Sequence, residues 1–195
     1  MKLCVIGGAG ARSAFLTKSL VKSTRDIRVD HIVLLDNDQQ KLKTYGEISR
    51  ELSRRLDPDL TFEVTSDARA ALTGVDYIIT TIRAGGDAGR LFDEQTCLAH
   101  GVLGQETTGA GGFAMAIRSV PTLVYYCTLA REVANPGHLI FNFTNPSGII
   151  TQALRSKGFD NVYGICDAPS GFIKQLEEIL EIPYGTLDIE CYGLN

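Results

Sequence analysis

Residues 2–10 read KLCVIGGAG, a short apolar run that ends in closely spaced glycines. The run predicts a buried strand of the kind found in parallel sheets that are covered on both faces. Gly7, Gly8 and Gly10 then favour a tight turn that brings backbone N–H groups to a pyrophosphate at a helix N-terminus. The match to G-x-G-x-x-G is incomplete, because Ser13 occupies the place of the third glycine. A tight turn without a ligand is therefore the alternative interpretation.

Outward from this stretch, strand and helix patterns alternate along the chain. Apolar or alternating runs predict six strands, at residues 2–6, 31–35, 61–65, 77–82, 139–143 and 162–165, and a further strand at 187–192. Helical patterns fall at 11–22, 38–56, 66–72 with Ser66 as the cap, 90–100, 112–134 with a kink or break at Pro121, 149–157 and 172–180. We expect an α/β fold with a doubly wound, mainly parallel sheet and a ligand beyond the carboxyl ends of the strands.

The composition argues against a nucleic-acid-binding, membrane or secreted protein. The chain has 195 residues, of which 44% are hydrophobic and 22% are charged, and its net charge is −4. No Lys/Arg-rich block is present, so nucleic acid is not an expected partner. No apolar run approaches the roughly 18 residues of a membrane span, and the N-terminus does not resemble a signal peptide. Five cysteines without a regular spacing indicate reduced thiols. We expect a cytoplasmic protein that neither crosses nor binds a membrane.

Asp36 follows the second predicted strand. A dinucleotide-binding fold places an acidic residue at this strand end to accept hydrogen bonds from ribose hydroxyls. No arginine follows it directly, which favours NAD over NADP. The alternative role of Asp36 is to cap the helix that begins at NDQQKLK. The order of strand, glycines, helix, strand and acid predicts a dinucleotide site.

Two polar stretches follow the fourth strand. In RAGGDAGRLFDEQ, residues 83–95, Arg83 and Arg90 offer forks of donors to a carboxylate or a phosphate, or are two solvated loop residues. In GQETTGAGGFA, residues 104–114, Glu106 stands among glycines, where it either faces a ligand or is a surface charge.

Polar residues also follow the fifth and sixth strands. In FNFTNPSG, Asn142 and Asn145 interrupt an apolar run, and they either contact a ligand or form an Asn-Pro turn. In GICDAPSG, Cys166 and Asp167 stand at the end of the last strand of the sheet. A lone cysteine is most often structural, but this position raises a functional role to an equal alternative.

Taken together, IGGAG, RAGGDAGRLFDEQ, GVLGQETTGAGGFAMAIRSVP, FNFTNPSGIIT and GICDAP resemble the family 4 glycoside hydrolases over essentially the whole chain. The resemblance implies a Rossmann NAD-binding domain and hydrolysis of 6-phosphoglucosides. In that chemistry NAD⁺ accepts a hydride from the sugar, a divalent metal, commonly Mn²⁺, polarises the resulting ketone, and elimination breaks the glycosidic bond. Water then adds, and the hydride returns to the sugar. NAD is therefore recycled, and the family is an exception to hydrolysis by two carboxylates.

The resemblance also implies a role for each candidate residue. Two residues would be catalytic, Asp167 as the acid and Glu106 as support for a tyrosine base. Arg90, Asn145 and Arg83 would bind the substrate, and Cys166 would bind the metal. NAD would be bound by Gly7, Gly8, Gly10 and Asp36. Aspartate after the cysteine is similar to the 6-phospho-α-glucosidase type, but the other motifs look closer to the 6-phospho-β-glucosidase type, which we favour. The alternative function is an NAD-dependent 2-hydroxy acid dehydrogenase of the lactate/malate type.

Members of this family are about twice as long, because they carry a second domain. We therefore expect residues 1–183 to be the NAD-binding domain and residues 184–195 to begin a substrate and metal domain, most of which is missing from this chain. A metal-binding histidine, the tyrosine base and a further phosphate-binding arginine would lie in the missing part. We expect this chain to bind NAD without turnover, and the full-length protein to be a homo-oligomer.

Overall fold

The computed structural model describes residues 1–190, which contain one six-stranded sheet with helices between the strands. The strands are β1 (Lys2–Ile6), β2 (His31–Leu35), β3 (Thr61–Thr65), β4 (Tyr77–Thr80), β5 (Leu139–Asn142) and β6 (Val162–Gly164). Their order across the sheet is β3-β2-β1-β4-β5-β6, and every neighbouring pair is parallel. This confirms the predicted doubly wound α/β fold, because the strand order reverses between β1 and β4.

The helices connect these parallel strands. They are α1 (Ser13–Ile27), α2 (Gln39–Lys41), α3 (Glu47–Leu56), α4 (Ala68–Leu72), α5 (Gly86–Ala99), α6 (Gly109–Val133), α7 (Ser147–Ser156) and α8 (Ala168–Ile179), with a π-helical turn at Leu42–Gly46 between α2 and α3. The π-helical turn joins α2 to α3 within the stretch predicted as one long helix.

Two apolar clusters cover the two faces of the sheet. Cys4, Ile6 and Val33 belong to the larger cluster, together with side chains of α4, α6 and α7. Leu3, Val5 and Ile32 belong to the other cluster, which α1 completes. Alternate residues of β1 thus face opposite clusters, and Cys4 and Val5 are both fully buried. This two-sided burial explains why β1 is apolar throughout.

Several predicted boundaries were wrong, each for a local reason. Asp67, not Ser66, caps α4, because its carboxylate accepts the N–H of Ala70 at 3.0 Å. Pro121 neither ends nor divides α6. The carbonyl that a proline leaves without its helical partner belongs to residue 117, which lies on the exposed side of this helix. Residues 187–190 form no strand, and the remainder of the strand predicted at 187–192 lies outside the described residues.

Within residues 1–190, α6 is the one helix that is long and apolar enough to cross a bilayer by length and composition. Its apolar side chains Leu123 and Cys127 lie in the larger core cluster, beside strand residues. The helix also carries Arg118, Arg131 and Glu132. The packing of Leu123 and Cys127 in the core explains why this helix is apolar.

The chain divides into two compact units, Met1–Gly164 and a unit that begins at Ile165. The first unit contains the whole sheet and helices α1 to α7, and the second contains α8. The boundary expected at residues 183 and 184 between the NAD-binding domain and a second domain stays a prediction.

Candidate functional site

The turn after β1 contains two glycines that the fold requires, Gly7 and Gly8, and one that it does not, Gly10. Gly7 has φ +84°, and a Cβ there would lie 2.7 Å from the carbonyl oxygen of Thr81. A Cβ on Gly8 would lie 2.9 Å from the Cβ of Leu34, whereas a Cβ on Gly10 would meet nothing within 4 Å. The N–H groups of Gly7 and Gly8 both donate to the carbonyl of Leu35. Gly7 and Gly8 therefore shape the turn, whereas the space beside Gly10 is open and its contact with a pyrophosphate stays a prediction.

Asp36 ties the end of β2 to this turn. Its Oδ2 accepts the N–H of Ala9 at 3.1 Å, and its Oδ1 accepts the N–H of Asp38 at 3.0 Å. The next helix is capped by Asp38, whose Oδ1 accepts the N–H of Lys41. The helix-capping alternative for Asp36 is therefore wrong. Asp36 is partly exposed at the predicted ribose position and fixes the glycine turn.

Arg83, Arg90 and Glu106 meet beyond the end of β4. Oε2 of Glu106 lies 3.1 Å from Nη1 of Arg90 and 3.3 Å from Nη2 of Arg83. Arg90 also bonds Glu94, and Arg83 bonds Asp87. The Glu94 carboxylate, with a smaller effect from Glu106, holds the pKa of the Arg90 guanidinium above its usual range. Glu106 is therefore not an isolated surface charge, whereas the two arginines stay partly exposed to solvent.

The two asparagines after β5 have different surroundings. Asn142 is fully buried, and its Oδ1 accepts the Thr80 hydroxyl at 2.8 Å and the Thr144 N–H at 3.2 Å. Its Nδ2 donates to the Thr151 hydroxyl at 3.1 Å. Asn145 is only partly buried. Asn142 thus joins the ends of β4 and β5 to α7, and a ligand contact of Asn145 stays a prediction.

Cys166 and Asp167 follow β6 in the chain and belong to the second unit. Both are exposed, and Sγ of Cys166 accepts the N–H of Ala168 at 3.5 Å in the first turn of α8. Among residues 1–190, no group of three or more His, Cys, Asp or Glu side chains is arranged to hold a metal ion. The described residues therefore do not form a divalent-metal site by themselves, and Cys166 as a ligand stays a prediction.

One ion pair near the arginine cluster was missed from the sequence. Arg118, in the middle of α6, makes a two-pronged ion pair with Asp93 of α5. Asp93 is 7% exposed, and this carboxylate raises the pKa of the Arg118 guanidinium. The only sequence indication was a single charged residue, Arg118, within the otherwise apolar run that forms the first half of α6.

The sheet order, the glycine turn and the acid after β2 define a Rossmann-type dinucleotide-binding domain. The candidate residues of the first unit follow β1, β2, β4 and β5, whose parallel carboxyl ends share one edge of the sheet. The chain belongs to the family described as family 4 glycosyl hydrolases, whose model matches residues 2–182.

Similar proteins of known activity and structure support the assignment to this family. The chain is 35% identical to the 6-phospho-beta-glucosidase BglT of Thermotoga maritima, over 100% of this chain and 46% of that protein. A 6-phospho-alpha-glucosidase from gut microorganisms, solved in complex with NAD and Mn²⁺, superposes with a TM-score of 0.90 and 31% identity, covering 96% of this chain and 43% of that one. The chain therefore spans about half the length of the relatives it matches.

A dehydrogenase shares the fold alone. A malate dehydrogenase from Naegleria fowleri superposes with a TM-score of 0.68 but is 14% identical, over 94% of this chain and 52% of that one. The alternative of a 2-hydroxy acid dehydrogenase is therefore not favoured.

Proposed function

We propose that this chain is the NAD-binding part of a 6-phospho-glucosidase that works by NAD-dependent oxidation and elimination with a divalent metal, Mn²⁺. The meeting of Arg83, Arg90 and Glu106 beyond β4 carries the proposal. Two planar guanidinium groups at the ligand edge of a nucleotide-binding sheet match the geometry of a phosphate. The structures of relatives with NAD and Mn²⁺ support the cofactors.

In this proposal, the residues of the first unit bind and orient. Gly10 leaves space for the pyrophosphate, and Asp36 accepts from the ribose while it holds the turn through Ala9. Arg90 and Arg83 bind the phosphate of the substrate, and Asn145 contacts the sugar. Glu106, which is only 17% exposed, pairs with two arginines and supports a tyrosine base. Bound NAD supplies hydride acceptance and return.

The second unit carries the remaining roles in this proposal. Cys166 is a metal ligand that needs oxygen or nitrogen ligands from elsewhere, since a thiolate is a soft ligand for manganese. Asp167 protonates the leaving oxygen. The residues 184–195 begin a substrate and metal domain, and the chain binds NAD without turnover. A cytoplasmic location and a homo-oligomeric full-length protein also belong to the proposal.

A β linkage is the finer part of the proposal. The relative from T. maritima is a 6-phospho-beta-glucosidase, whereas the superposed gut enzyme is a 6-phospho-alpha-glucosidase. The similarity of GQETTGAGGFA and FNFTNPSG to the β type supports our choice. Calorimetry with the two methyl 6-phosphoglucosides should show tighter binding of the β anomer, and tighter binding of the α anomer would reverse this choice.

NAD binding tests the proposal directly. Asp36→Asn should weaken NAD binding about tenfold, because a hydrogen bond to a charged group contributes about 1.5–3 kcal/mol. Asp38→Asn is the matched control, since an amide oxygen can still accept from Lys41, and it should bind NAD as the unaltered chain does. Failure of the unaltered chain to bind NAD would refute the proposal. Rapid hydrolysis of p-nitrophenyl 6-phosphoglucoside with NAD⁺ and Mn²⁺ would refute only the absence of turnover.

A further inference from the structure

Arg118 reaches from α6 to both α5 and the loop that follows β4. Its Nη1 donates to Oδ1 of Asp93 at 2.9 Å, and its Nη2 donates to Oδ2 of the same carboxylate. Its Nε donates to the carbonyl oxygen of Ala84 at 3.2 Å. The guanidinium therefore uses both of its forked nitrogens on α5 and its Nε–H on the loop. A lysine could not make these three bonds in one plane.

Gly85, which precedes α5, and Gly89, in the first turn of α5, fit around the Arg118 guanidinium. Gly85 has φ +86°, and a Cβ there would lie 3.0 Å from Nε of Arg118. A Cβ on Gly89 would lie 3.5 Å from its Cζ. Gly86 also has a positive φ, +62°, but a Cβ there would meet nothing within 4 Å. The stretch RAGGDAGR thus contains glycines at the two positions where its backbone passes Arg118.

Arg83 and Arg90 flank the segment that Arg118 holds. Arg83 directly precedes Ala84, and Arg90 directly follows Gly89. Their common partner Glu106 lies three residues before α6, the helix that carries Arg118. Helix α6 and the segment before it therefore contact the backbone between Arg83 and Arg90 as well as the two arginines themselves.

We propose that Arg118 is a positioning residue for the phosphate-binding arginines. Its bonds to Ala84 and Asp93 fix residues 84–89, and this fixes the distance and direction of Arg83 and Arg90 relative to each other. The identity of the anion as the phosphate of a sugar rests on the proposed function, but the positioning itself does not. A purely structural ion pair between α5 and α6 would stabilise the fold and leave the two arginines in place.

The experiment follows the arginine Nε–H resonances of the chain by NMR, with glucose 6-phosphate as the added ligand. In Arg118→Lys, the resonances of Arg83 and Arg90 should move toward the position of a solvated arginine. The dissociation constant for glucose 6-phosphate should rise about tenfold, because a small misplacement of binding groups has effects of this order or larger. NAD affinity should stay within about twofold, since the glycine turn does not contact Arg118.

Two further comparisons separate positioning from folding. Arg118→Met with Asp93→Asn leaves no buried unpaired charge, so it should recover stability lost in Arg118→Met without restoring the arginine resonances. Gly85→Ala should reproduce the effect of Arg118→Lys, because its Cβ would lie against Nε of Arg118. Gly86→Ala has a similar cost from its positive φ but no contact with Arg118, so it should leave the arginine resonances unchanged.

The outcomes decide the two proposals separately. Unchanged Arg83 and Arg90 resonances in Arg118→Lys and in the Arg118→Met double variant, or equal effects of Gly85→Ala and Gly86→Ala, would overturn the role of Arg118. If glucose 6-phosphate leaves the arginine resonances of the unaltered chain unchanged, the role of Arg83 and Arg90 in phosphate binding would be refuted. The resonances of the variants would still show whether Arg118 positions the loop.

Discussion

Oε2 of Glu106 lies 3.1 Å from Nη1 of Arg90, although Arg90 belongs to α5 and Glu106 to the segment between α5 and α6. The same oxygen also pairs with Arg83. An ion pair of this kind holds two long side chains in place before any ligand arrives. It also occupies donors that an incoming phosphate would use, so the pair both prepares the site and competes with the ligand.

Replacing Glu106 separates these two effects. Glu106→Gln should strengthen binding of inorganic phosphate about two- to fivefold at low ionic strength, because a partly exposed ion pair contributes up to about 1 kcal/mol. The gain should shrink as salt screens the interaction. Isothermal titration with phosphate at two ionic strengths measures it.

Glu47→Gln is the matched control for this charge change. Glu47 forms an ion pair with Arg50 on α3, away from the arginine cluster, and its replacement should leave phosphate binding unaltered. Weaker phosphate binding in Glu106→Gln would mean that Glu106 orients the arginines more than it competes with the ligand.

Two glycines of the β1 turn should respond differently to alanine. Gly7→Ala should lower the free energy of unfolding by at least about 2 kcal/mol, because φ is positive and the Cβ would meet the Thr81 carbonyl at 2.7 Å. Gly10→Ala should change stability by less than about 0.5 kcal/mol, since its Cβ enters open space, but should weaken NAD binding at least about tenfold. Urea unfolding and NAD titration of both variants provide the comparison. Unaltered NAD affinity in Gly10→Ala would show that the pyrophosphate does not pass this residue.

The two asparagines after β5 should respond differently to replacement by alanine, because Asn142 stabilises the fold and Asn145 is proposed to bind the ligand. Asn142→Ala should cost about 2–4 kcal/mol of stability, because it leaves a cavity and removes the partners of the Thr80 and Thr151 hydroxyls. Asn145→Ala should cost less than about 1 kcal/mol and should weaken binding of glucose 6-phosphate. Chemical denaturation and calorimetry measure the two effects. Equal stability losses would contradict this division.

Glu177 should make the second unit sensitive to acid. Its carboxylate accepts the N–H of Leu187 at 3.0 Å, and this bond, with those of Gly185 and Thr186, holds its pKa below the usual range. Because the folded pKa is lower than the unfolded one, the stabilisation is present above about pH 4.3 and is lost as pH falls through the folded pKa.

The Leu187 amide resonance reports this titration directly. It should shift toward its unfolded position as pH falls from about 6 to about 2. The shift should vanish in Glu177→Gln, whose amide oxygen accepts the bond at every pH. Glu178→Gln, at an exposed neighbour, should titrate as the unaltered chain does. A pH-dependent shift that persists in Glu177→Gln would assign the effect to another group.

The six predicted strands of the sheet were confirmed to within a few residues, whereas residues 187–190 form no strand and several helix ends were placed wrongly. Strands β1 and β2 are apolar because the sheet buries both of their faces, and that pattern is local to each strand. The start of α5 at Gly86 was missed because it depends on Gly85, whose left-handed backbone faces Arg118 from a distant helix. The cap of α4 was placed one residue early because Ser66 and Asp67 are both good caps by composition.

The sequence by itself determined the sheet, the glycine turn and the acid after β2, because each follows from the order of residues within a short segment. It also placed the candidate residues at the ends of strands, since parallel strands bring those ends to one edge. Only the tertiary structure decided that Glu106 joins Arg83 to Arg90, that Asn142 is buried while Asn145 is not, and that Arg118 holds the loop between the two arginines. These relationships depend on which faces of α5, α6 and α7 pack together, and residues far apart in the chain meet only when that packing forms.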